Sequence, residues 1–142
     1  MIDLHCHILP GVDDGSKSLE MSLRMARLAV ADGIKAIAAT PHTMDGVYEN
    51  RAPDILPRVE SLQAALYEEG IDLRLYPGAD VHLCAGMVER VRSGDVCTIN
   101  HAGKFFLLEM PSQSIPSGIK DEIFALKLNG ITPIITHPER NA

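Results

Sequence analysis

The sequence is short of positive charge and of long apolar runs. Lys and Arg number 13 against 19 Asp and Glu, so the formal net charge is -6, which argues against a protein that binds nucleic acid or an anionic membrane through charge. No apolar run approaches the roughly 18 residues that a membrane-spanning helix needs, and the first residues lack the basic and apolar segments of a signal peptide. We therefore expect no membrane insertion and a cytoplasmic location.

Cysteine is also scarce, and its spacing excludes further classes of protein. The three cysteines, Cys6, Cys84 and Cys97, form an odd set without a CxxC pair, which is typical of reduced thiols and not of a disulfide framework or a zinc ribbon. Cys6 stands between two histidines, where we expect a small buried hydrophobic residue and not a nucleophile. We expect no cysteine-based phosphate chemistry.

The sequence does have the composition and patterning of an ordinary globular domain. Hydrophobic residues make up 46% and charged residues 23% of the chain, which is enough for a buried core, and a length of 142 residues predicts one domain. Apolar periodicity predicts alternating strands and helices. The predicted strands cover residues 2–5, 34–40, 71–77, 105–110 and 131–136, and the predicted helices cover residues 18–32, 52–69, 85–92 and 115–129.

This βα alternation predicts a parallel sheet covered by helices, because parallel strands are joined by right-handed helical crossovers. The pattern alone leaves an open doubly wound sheet and part of a barrel as alternatives. Nothing in the sequence resembles a linker or a low-complexity segment that would mark a second domain.

Side chains that can bind a metal follow each predicted strand. Active sites in such sheets lie where the carboxyl ends of the strands converge. Residues two apart in an extended segment share a face, so His5 and His7 can converge on one ion. Imidazole and carboxylate ligands without thiolate suit Zn, Mn or Fe, and a carboxylate can bridge two ions. The candidates at the strand ends are His5, His7, His42, Asp80, Glu109 and His137, with Asp13 and Asp14 in the first loop.

Other polar residues have ordinary explanations. His82 and His101 lack a comparable place, and we expect surface or loop histidines there. Asp13 could cap the following helix or stabilise the turn. Tyr48 could stack on an aromatic leaving group, or lie on the surface at the start of a helix.

Several segments resemble a known family. Residues 1–15 read MIDLHCHILPGVDDG, residues 39–43 read ATPHT, residues 46–50 read GVYEN, residues 107–111 read LLEMP and residues 136–141 read THPERN. Together they resemble the polymerase-and-histidinol-phosphatase (PHP) superfamily, specifically its bacterial protein-tyrosine phosphatases linked to capsule and exopolysaccharide synthesis. The HxH pair alone indicates the superfamily, whereas HCHILPGVDDG together with HPERN is specific to the phosphatase branch.

The resemblance implies a distorted TIM-like (β/α) barrel of seven strands and a metal-dependent activity. It implies up to three divalent ions that activate water for attack on phosphotyrosine in a protein, such as an autophosphorylating bacterial tyrosine kinase. Arg140 is expected to clamp the phosphate, and we assign catalytic roles to Arg140 and Asp14. With Asp80 added from its place after the third strand, the expected metal ligands are His5, His7, Asp14, His42, Asp80, Glu109 and His137.

Two departures from the family pattern change what we expect. Asp80 stands where the family usually has glutamate, and its shorter side chain has to come closer to bridge two ions. The family's later Asp-Ala-His metal motif is absent from these 142 residues, whereas barrels of this class take about 250 residues. We therefore expect residues 1–142 to form a single, C-terminally incomplete PHP-type metallophosphatase domain, which holds fewer than three ions and self-associates through unpaired barrel edges.

The leading hypothesis is metal-dependent hydrolysis of phosphotyrosine, and two alternatives stay open. A small-molecule phosphatase of the histidinol-phosphate type would use the same metal chemistry with different loop contacts. A metal-binding remnant or regulatory module would keep the first ligands without turnover.

Overall fold

The chain alternates strands and helices in the predicted order. The computed structural model describes residues 1–111 and 115–140. Every pairing between its strands is parallel, as the alternation predicted. The strands are Ile2–Cys6 (β1), Ala36–Ala39 (β2), His42–Thr43 (β3), Arg74–Pro77 (β4), Asp80–His82 (β5), Phe105–Glu109 (β6) and Thr132–Thr136 (β7). The helices are Leu19–Ala31 (α1), Ala52–Glu68 (α2), Met87–Ser93 (α3) and Ile119–Leu128 (α4), with 3-10 turns at Ile99–His101 and Pro138–Arg140.

Two of the predicted strands differ from the observed ones. The predicted strand 34–40 is shorter in the structure, as β2, and the predicted strand 71–77 is shorter, as β4. β3, which follows β2 after Thr40 and Pro41, and β5, which follows β4, were not predicted. Pro41 has no N–H to donate to a neighbouring strand. Its carbonyl oxygen accepts a hydrogen bond from Asp80 N at 3.0 Å, so neighbouring strands stay bridged across the break.

The predicted helix 115–129 was wrong at its start, because α4 begins at Ile119. Pro116 and Gly118 form a turn before it, in which Ile119 N donates to Pro116 O at 3.1 Å. Gly118, at the N-cap of α4, has no side chain that could cap the helix. The other helices begin and end within two residues of the predicted positions.

The strands form two short sheets that continue one another. β1, β2 and β4 pair in that order, and β3, β5, β6 and β7 pair in that order. β3 follows β2 and β5 follows β4 along the chain, so the two sheets form one succession of strands from β1 to β7. His5 on β1 and His137 after β7 nevertheless lie close together, with 3.2 Å between their Nε2 atoms, so this succession is curved.

The core lies between the sheet and its helices. α1 begins after Ser18, whose side chain accepts a hydrogen bond from Met21 N. The buried Ser22 hydroxyl donates to Ile8 O at 2.6 Å and ties α1 to the loop after β1. α2 buries one face, made of Ala52, Ile55, Val59, Leu62 and Leu66.

No helix in the described ranges has the length and apolar character needed to cross a bilayer.

The described strands do not close into a barrel. Within residues 1–111 and 115–140, β1 pairs only with β2, and β7 pairs only with β6. The seven-stranded closed barrel that the resemblance implies is therefore not observed. What the structure does have is a curved parallel α/β arrangement.

The outer edges of β1 and β7 predict self-association. Ile2 on β1 is 63% exposed and Ile135 on β7 is 37% exposed, and an unpaired edge with apolar side chains is a template for a second chain. We expect dimers or larger species in sedimentation velocity. Ile2→Lys and Ile135→Lys should shift the chain towards the 15.4 kDa monomer, because a lysine on an edge opposes strand pairing.

Tyr67→Lys is the matched control for these two variants, because Tyr67 is 85% exposed on α2 and belongs to neither edge. A parent chain that stays monomeric at every concentration would contradict the prediction. An association that responds equally to Tyr67→Lys would show that the strand edges do not drive it.

Candidate metal centre

Four histidines meet where the strands end. His5 lies on β1, His7 directly follows it, His42 opens β3 and His137 follows β7. His5 Nε2 lies 3.4 Å from His7 Nε2 and 3.2 Å from His137 Nε2. The ring centroids of His7 and His42 are 4.5 Å apart. Residues from both ends of the chain thus bring ring nitrogens into one small volume.

Three carboxylates join the histidines. Asp80 Oδ2 lies 3.6 Å from His42 Nδ1 and 3.9 Å from His5 Nε2. Glu109 Oε2 lies 3.3 Å from the same His42 nitrogen, and Asp14 Oδ1 lies 3.7 Å from His42 Nε2. Three overlapping groups have their ligand atoms within 4.8 Å of one another: His5, His7 and Asp80; His7, Asp14 and His42; and His42, Asp80 and Glu109.

Several buried atoms of this cluster have no hydrogen-bond partner among the described residues, including His5 Nδ1, His42 Nδ1 and Asp80 Oδ2. The Asp80 side chain is fully buried, and its other oxygen accepts a hydrogen bond from Thr136 Oγ1 at 3.0 Å. Buried polar atoms are normally paired. A divalent cation would satisfy a carboxylate oxygen that faces imidazole nitrogens. The donor set therefore fits one or more divalent ions.

Burial keeps part of this cluster in its neutral form. Burial, together with the adjacent His7, His137 and His42, lowers the pKa of His5 to about 4. Burial also raises the pKa of Asp80, although the Thr136 hydrogen bond and the nearby imidazoles oppose this. A neutral imidazole is the form that binds a metal ion, so His5 is ready to ligate over the ordinary pH range.

The loop after β1 brings Asp13 to His7. Asp13 Oδ2 lies 2.7 Å from His7 Nδ1, and the carboxylate also accepts hydrogen bonds from Gly15 N at 2.9 Å and from His42 N at 3.0 Å. Burial alone would raise the pKa of Asp13, but these hydrogen bonds outweigh burial and lower it. Burial likewise opposes the charged form of His7, yet the contact with Asp13 raises the pKa of His7.

Position 15 accepts only glycine. A Cβ at Gly15 would lie 2.3 Å from His7 Cβ and 2.4 Å from His7 O, far inside van der Waals contact. Ser16 N donates to His7 O at 3.1 Å, so the loop is tied to the end of β1 at this point. The absence of a side chain at Gly15 is what lets Asp13 reach the imidazole of His7.

Arg140 shares a cavity with these donors. Arg140 N donates to His137 O at 2.9 Å within the 3-10 turn that follows β7. His137 itself has a φ of 45°, a left-handed conformation that is uncommon outside glycine. This turn sets Arg140 at the rim of an open cleft of about 360 Å³. The cleft is lined by His5, His7, Asp14, Gly15, His42, His137 and Arg140.

The chain matches a known family along its whole sequence. The sequence model of the family described as capsular polysaccharide synthesis, CpsB/CapC, matches residues 1–142. The chain belongs to the CpsB/CapC family. The resemblance indicated by the sequence motifs is thereby confirmed.

Named relatives of this CpsB/CapC chain are tyrosine-protein phosphatases. YwqE of Bacillus subtilis (strain 168) is 37% identical over 141 residues, which are 99% of this chain and 55% of that protein. CpsB of Streptococcus pneumoniae is 29% identical over 140 residues, which are 99% of this chain and 57% of that protein. This chain therefore spans about half the length of the curated relatives that it matches.

A solved structure has the same fold. It is described as YwqE from Bacillus subtilis and CpsB from Streptococcus pneumoniae, metal-dependent tyrosine phosphatases, and it matches with a TM-score of 0.94 at 37% identity. The match covers 99% of this chain and 57% of that chain. The likeness supports the CpsB/CapC assignment at the level of the fold.

The structure brings the predicted site residues of this CpsB/CapC chain together. Six of the seven predicted ligands belong to the three donor groups, and His137 joins them through His5. Their role as ligands stays a prediction, as do the catalytic roles of Arg140 and Asp14. His101 lies in an exposed turn outside the cluster. Asn141, at the end of the THPERN motif, lies outside the described residues.

Sequence reasoning missed the role of Asp13 and the place of His82. Asp13 does stabilise the turn, but Ser18 and not Asp13 caps α1, and the contact with His7 was not foreseen. His82 was expected on the surface or in a loop, but it lies on β5 with its Nδ1 3.8 Å from Glu109 Oε2. Its position two residues after Asp80, on the same strand face, was the signal that could have found it.

Two further residues support the cluster without a sequence signal. Thr136 holds one oxygen of Asp80, as described above. Asn50 Nδ2 donates to Val12 O at 3.0 Å and to His42 O at 2.9 Å, and so joins the two loops that carry site residues. These contacts join segments that are distant in the sequence, so the local sequence pattern does not reveal them.

Cys84 and Arg90 stand at the CX5R spacing of phosphatases with a thiolate nucleophile, so spacing alone does not exclude such chemistry. The structure argues against it. A reactive cysteine needs a lowered pKa, whereas burial raises the pKa of Cys84 against the effect of Arg90. Met87 N, which would face a phosphate, already donates to Glu122 Oε1 at 2.8 Å. These two features argue against a thiolate nucleophile at Cys84, and the expectation that no cysteine acts on phosphate stays a prediction.

Gly15→Ala is expected to destabilise the fold and to weaken metal binding. The new Cβ would overlap with His7, so the loop has to move and takes Asp13 away from the imidazole. Overpacking of this kind costs about 1–3 kcal/mol. Urea unfolding and zinc competition with a chromophoric chelator measure the two effects.

Gly118→Ala is the matched control for Gly15→Ala, because a Cβ at Gly118 meets nothing within 4 Å. Equal stability and equal zinc affinity in the two variants would mean that the close approach of the loop at Gly15 is not needed.

Proposed function

We propose that this chain forms the metal-binding part of a metal-dependent protein-tyrosine phosphatase that acts in capsule or exopolysaccharide synthesis. The observation that carries the proposal is a cleft in which clustered imidazole and carboxylate donors lie beside Arg140. The relatives support it, because YwqE and CpsB are named tyrosine-protein phosphatases. The chain spans about half of their length, so the activity of this segment is itself part of the proposal.

We propose that residues 1–142 belong to a single PHP-type metallophosphatase domain, part of a distorted TIM-like barrel of seven strands. The curved succession of parallel strands supports this architecture. The approach of His5 and His137 supports it further, because the first and last strands of the succession already converge at their carboxyl ends. Within residues 1–111 and 115–140, the outer edges of β1 and β7 have no paired strand.

The proposed ions are Mn, Fe or Zn, because the donors are nitrogen and oxygen without sulfur. His42 limits how many ions bind at once: a neutral imidazole has a single lone pair, and the two ring nitrogens of His42 face different donor groups. We therefore expect fewer than three ions in this chain. The proposed ligands are His5, His7, Asp14, His42, Asp80, Glu109 and His137.

Each protein group has a defined task in the proposed reaction. Arg140 binds the phosphate of the substrate through two parallel N–H donors, whose spacing matches that of two phosphate oxygens. The Asp14 side chain is 67% exposed on the solvent side of His42, where a carboxylate oxygen accepts a hydrogen bond from an incoming water. His5 stays neutral through burial and so remains a ligand. Bound divalent ions supply Lewis acidity to the phosphoryl oxygens and lower the pKa of the attacking water.

The proposed substrate is a phosphotyrosine protein, such as an autophosphorylating tyrosine kinase. The Tyr48 ring is nearly parallel to the His42 ring, with an interplanar angle of 11° and centroids 6.3 Å apart. Tyr48 therefore offers an aromatic face beside the cluster for a tyrosyl leaving group. The cysteines are free thiols, which suit the reducing cytoplasm, and we propose that location.

A metal-binding module without turnover is the second candidate. It is favoured by the sharing of donors, since His7, His42 and Asp80 each belong to two groups. Three ions therefore cannot each have a separate set of ligands. A histidinol-phosphate type of phosphatase would use the same cluster. Assays of the metal-loaded chain on a phosphotyrosine peptide and on histidinol phosphate separate these functions. Preference for the peptide supports the proposal, and full metal binding without any turnover supports the module.

Removal of a proposed ligand is expected to lower metal content. His5→Ala, His7→Ala and Glu109→Ala each delete a donor, and each should weaken binding at least as much as the loss of an outer-shell partner, about 10–100-fold. Metal per chain after equilibrium dialysis, measured by mass spectrometry, gives the affinity. His101→Ala is the control and should bind as the parent does. An equal loss in His101→Ala would mean that the assigned ligands are wrong.

Arg140→Lys is expected to lower turnover more than metal content. An ammonium cannot present two parallel donors, and hydrogen bonds to charged groups contribute about 1.5–3 kcal/mol, so kcat/KM should fall by about 10-fold or more. Initial rates on phosphotyrosine peptide, divided by bound metal, measure this.

Arg90→Lys and Cys84→Ser are the controls for Arg140→Lys and should keep the turnover of the parent. If Arg140→Lys were as active per bound ion as the parent, Arg140 would not be the phosphate clamp. If Cys84→Ser abolished turnover with metal still bound, the reaction would run through the thiol.

A further inference from the structure

The carboxylate of Asp13 is surrounded by hydrogen-bond donors. Its side chain is fully buried. Oδ1 accepts from Gly15 N at 2.9 Å, and Oδ2 accepts from His42 N at 3.0 Å and faces His7 Nδ1 at 2.7 Å. Both backbone groups can only donate, and the two carboxylate oxygens accept. The remaining contact is therefore satisfied only when His7 Nδ1 carries the ring proton.

This contact determines which nitrogen of His7 is free. In a neutral imidazole one nitrogen carries the proton and the other holds the lone pair. With the proton on Nδ1, the lone pair is on Nε2. That atom lies 3.4 Å from His5 Nε2, on the side of the donor cluster.

We propose that Asp13 is a positioning residue, which holds His7 in its Nδ1–H tautomer and so directs the Nε2 lone pair at the ion-binding cluster. The inference rests on the proposed function, because it assigns His7 Nε2 to an ion. A hydrogen bond from the second nitrogen of a metal-binding histidine to a carboxylate fixes both the tautomer and the orientation of the ring. His42 is tied to the same carboxylate through its backbone, so Asp13 joins the segment after β1 to the start of β3.

An amide at position 13 cannot reproduce this set of contacts. If the amide oxygen of Asn took the place of Oδ2, its NH2 would face Gly15 N, donor against donor. If the oxygen took the place of Oδ1, the NH2 would face His42 N and would favour the Nε2–H tautomer of His7, which blocks the lone pair. Asp13→Asn therefore weakens the preference for the Nδ1–H tautomer while it barely changes side-chain volume.

A purely structural role predicts something different. If Asp13 only stabilised the turn through Gly15, Asp13→Asn would lower stability and leave the tautomer of His7 unchanged. The tautomer is therefore the readout that separates positioning from turn stabilisation.

The test measures ring nitrogens directly. The full chain is labelled with 15N-histidine, and two-bond 15N–1H spectra are recorded at pH 9, where ordinary histidines are neutral, first with a chelator present and then during titration with zinc. The parent His7 is expected as the Nδ1–H form, and zinc should shift its Nε2 resonance. In Asp13→Asn the Nε2–H form should appear, and zinc affinity should fall about 10–100-fold.

Asp3→Asn is the matched control. Asp3 Oδ1 accepts from His5 N at 3.1 Å, so this carboxylate touches the backbone of a proposed ligand and not an imidazole. Asp3→Asn should leave the tautomer of His7 and the zinc affinity unchanged.

Each outcome decides the inference. A parent His7 in the Nε2–H form overturns it even if Asp13→Asn fails to fold, because the parent measurement needs no variant. An Asp13→Asn chain with the tautomer and zinc affinity of the parent also overturns it. Absence of phosphatase turnover, with the tautomer and affinity changes as expected, would refute the proposed function and leave the positioning role of Asp13 intact.

Discussion

The buried carboxylate of Asp80 is the constraint that the rest of the site has to satisfy. Its side chain is fully buried, one oxygen accepts from Thr136, and the other faces His5 and His42 without a hydrogen bond in the described part of the chain. An unpaired buried charge costs several kcal/mol. His5 cannot supply the compensating charge near neutral pH, because burial lowers its pKa to about 4. A bound cation would supply the missing charge, and it would also give the converging imidazole nitrogens a common partner.

Short breaks in the strands make that convergence possible. The chain leaves β2 at Ala39 and β4 at Pro77, and it continues into β3 and β5, which begin with His42 and Asp80. These two residues are paired in register. The breaks therefore place an imidazole and a carboxylate side by side where the chain passes from one sheet to the other.

The sequence could predict the parts of this arrangement that depend on local pattern. Apolar periodicity located the four helices and β1, β2, β4, β6 and β7, and the ends of the predicted strands located the candidate ligands. The partners of those ligands could not be predicted, because they arise from contacts between distant segments. Thr136 meets Asp80 across 56 positions, and Asp13 meets His42 N across 29. Local pattern can also mislead, because Cys84 and Arg90 have the spacing of a thiol phosphatase. The burial that raises the pKa of Cys84 and the hydrogen bond of Met87 N to Glu122, both of which argue against that chemistry, are visible only in the structure.

We infer that the clustered donors are held for divalent ions. A crystal of the chain grown with manganese or zinc, with data collected on each side of the metal absorption edge, would show whether ions bind there. We expect anomalous peaks about 2.1 Å from His ring nitrogens, with at least one ion bound to Asp80 Oδ2. An ordered cluster with no anomalous peak, in which Asp80 Oδ2 is bonded only to a protonated histidine, would contradict it.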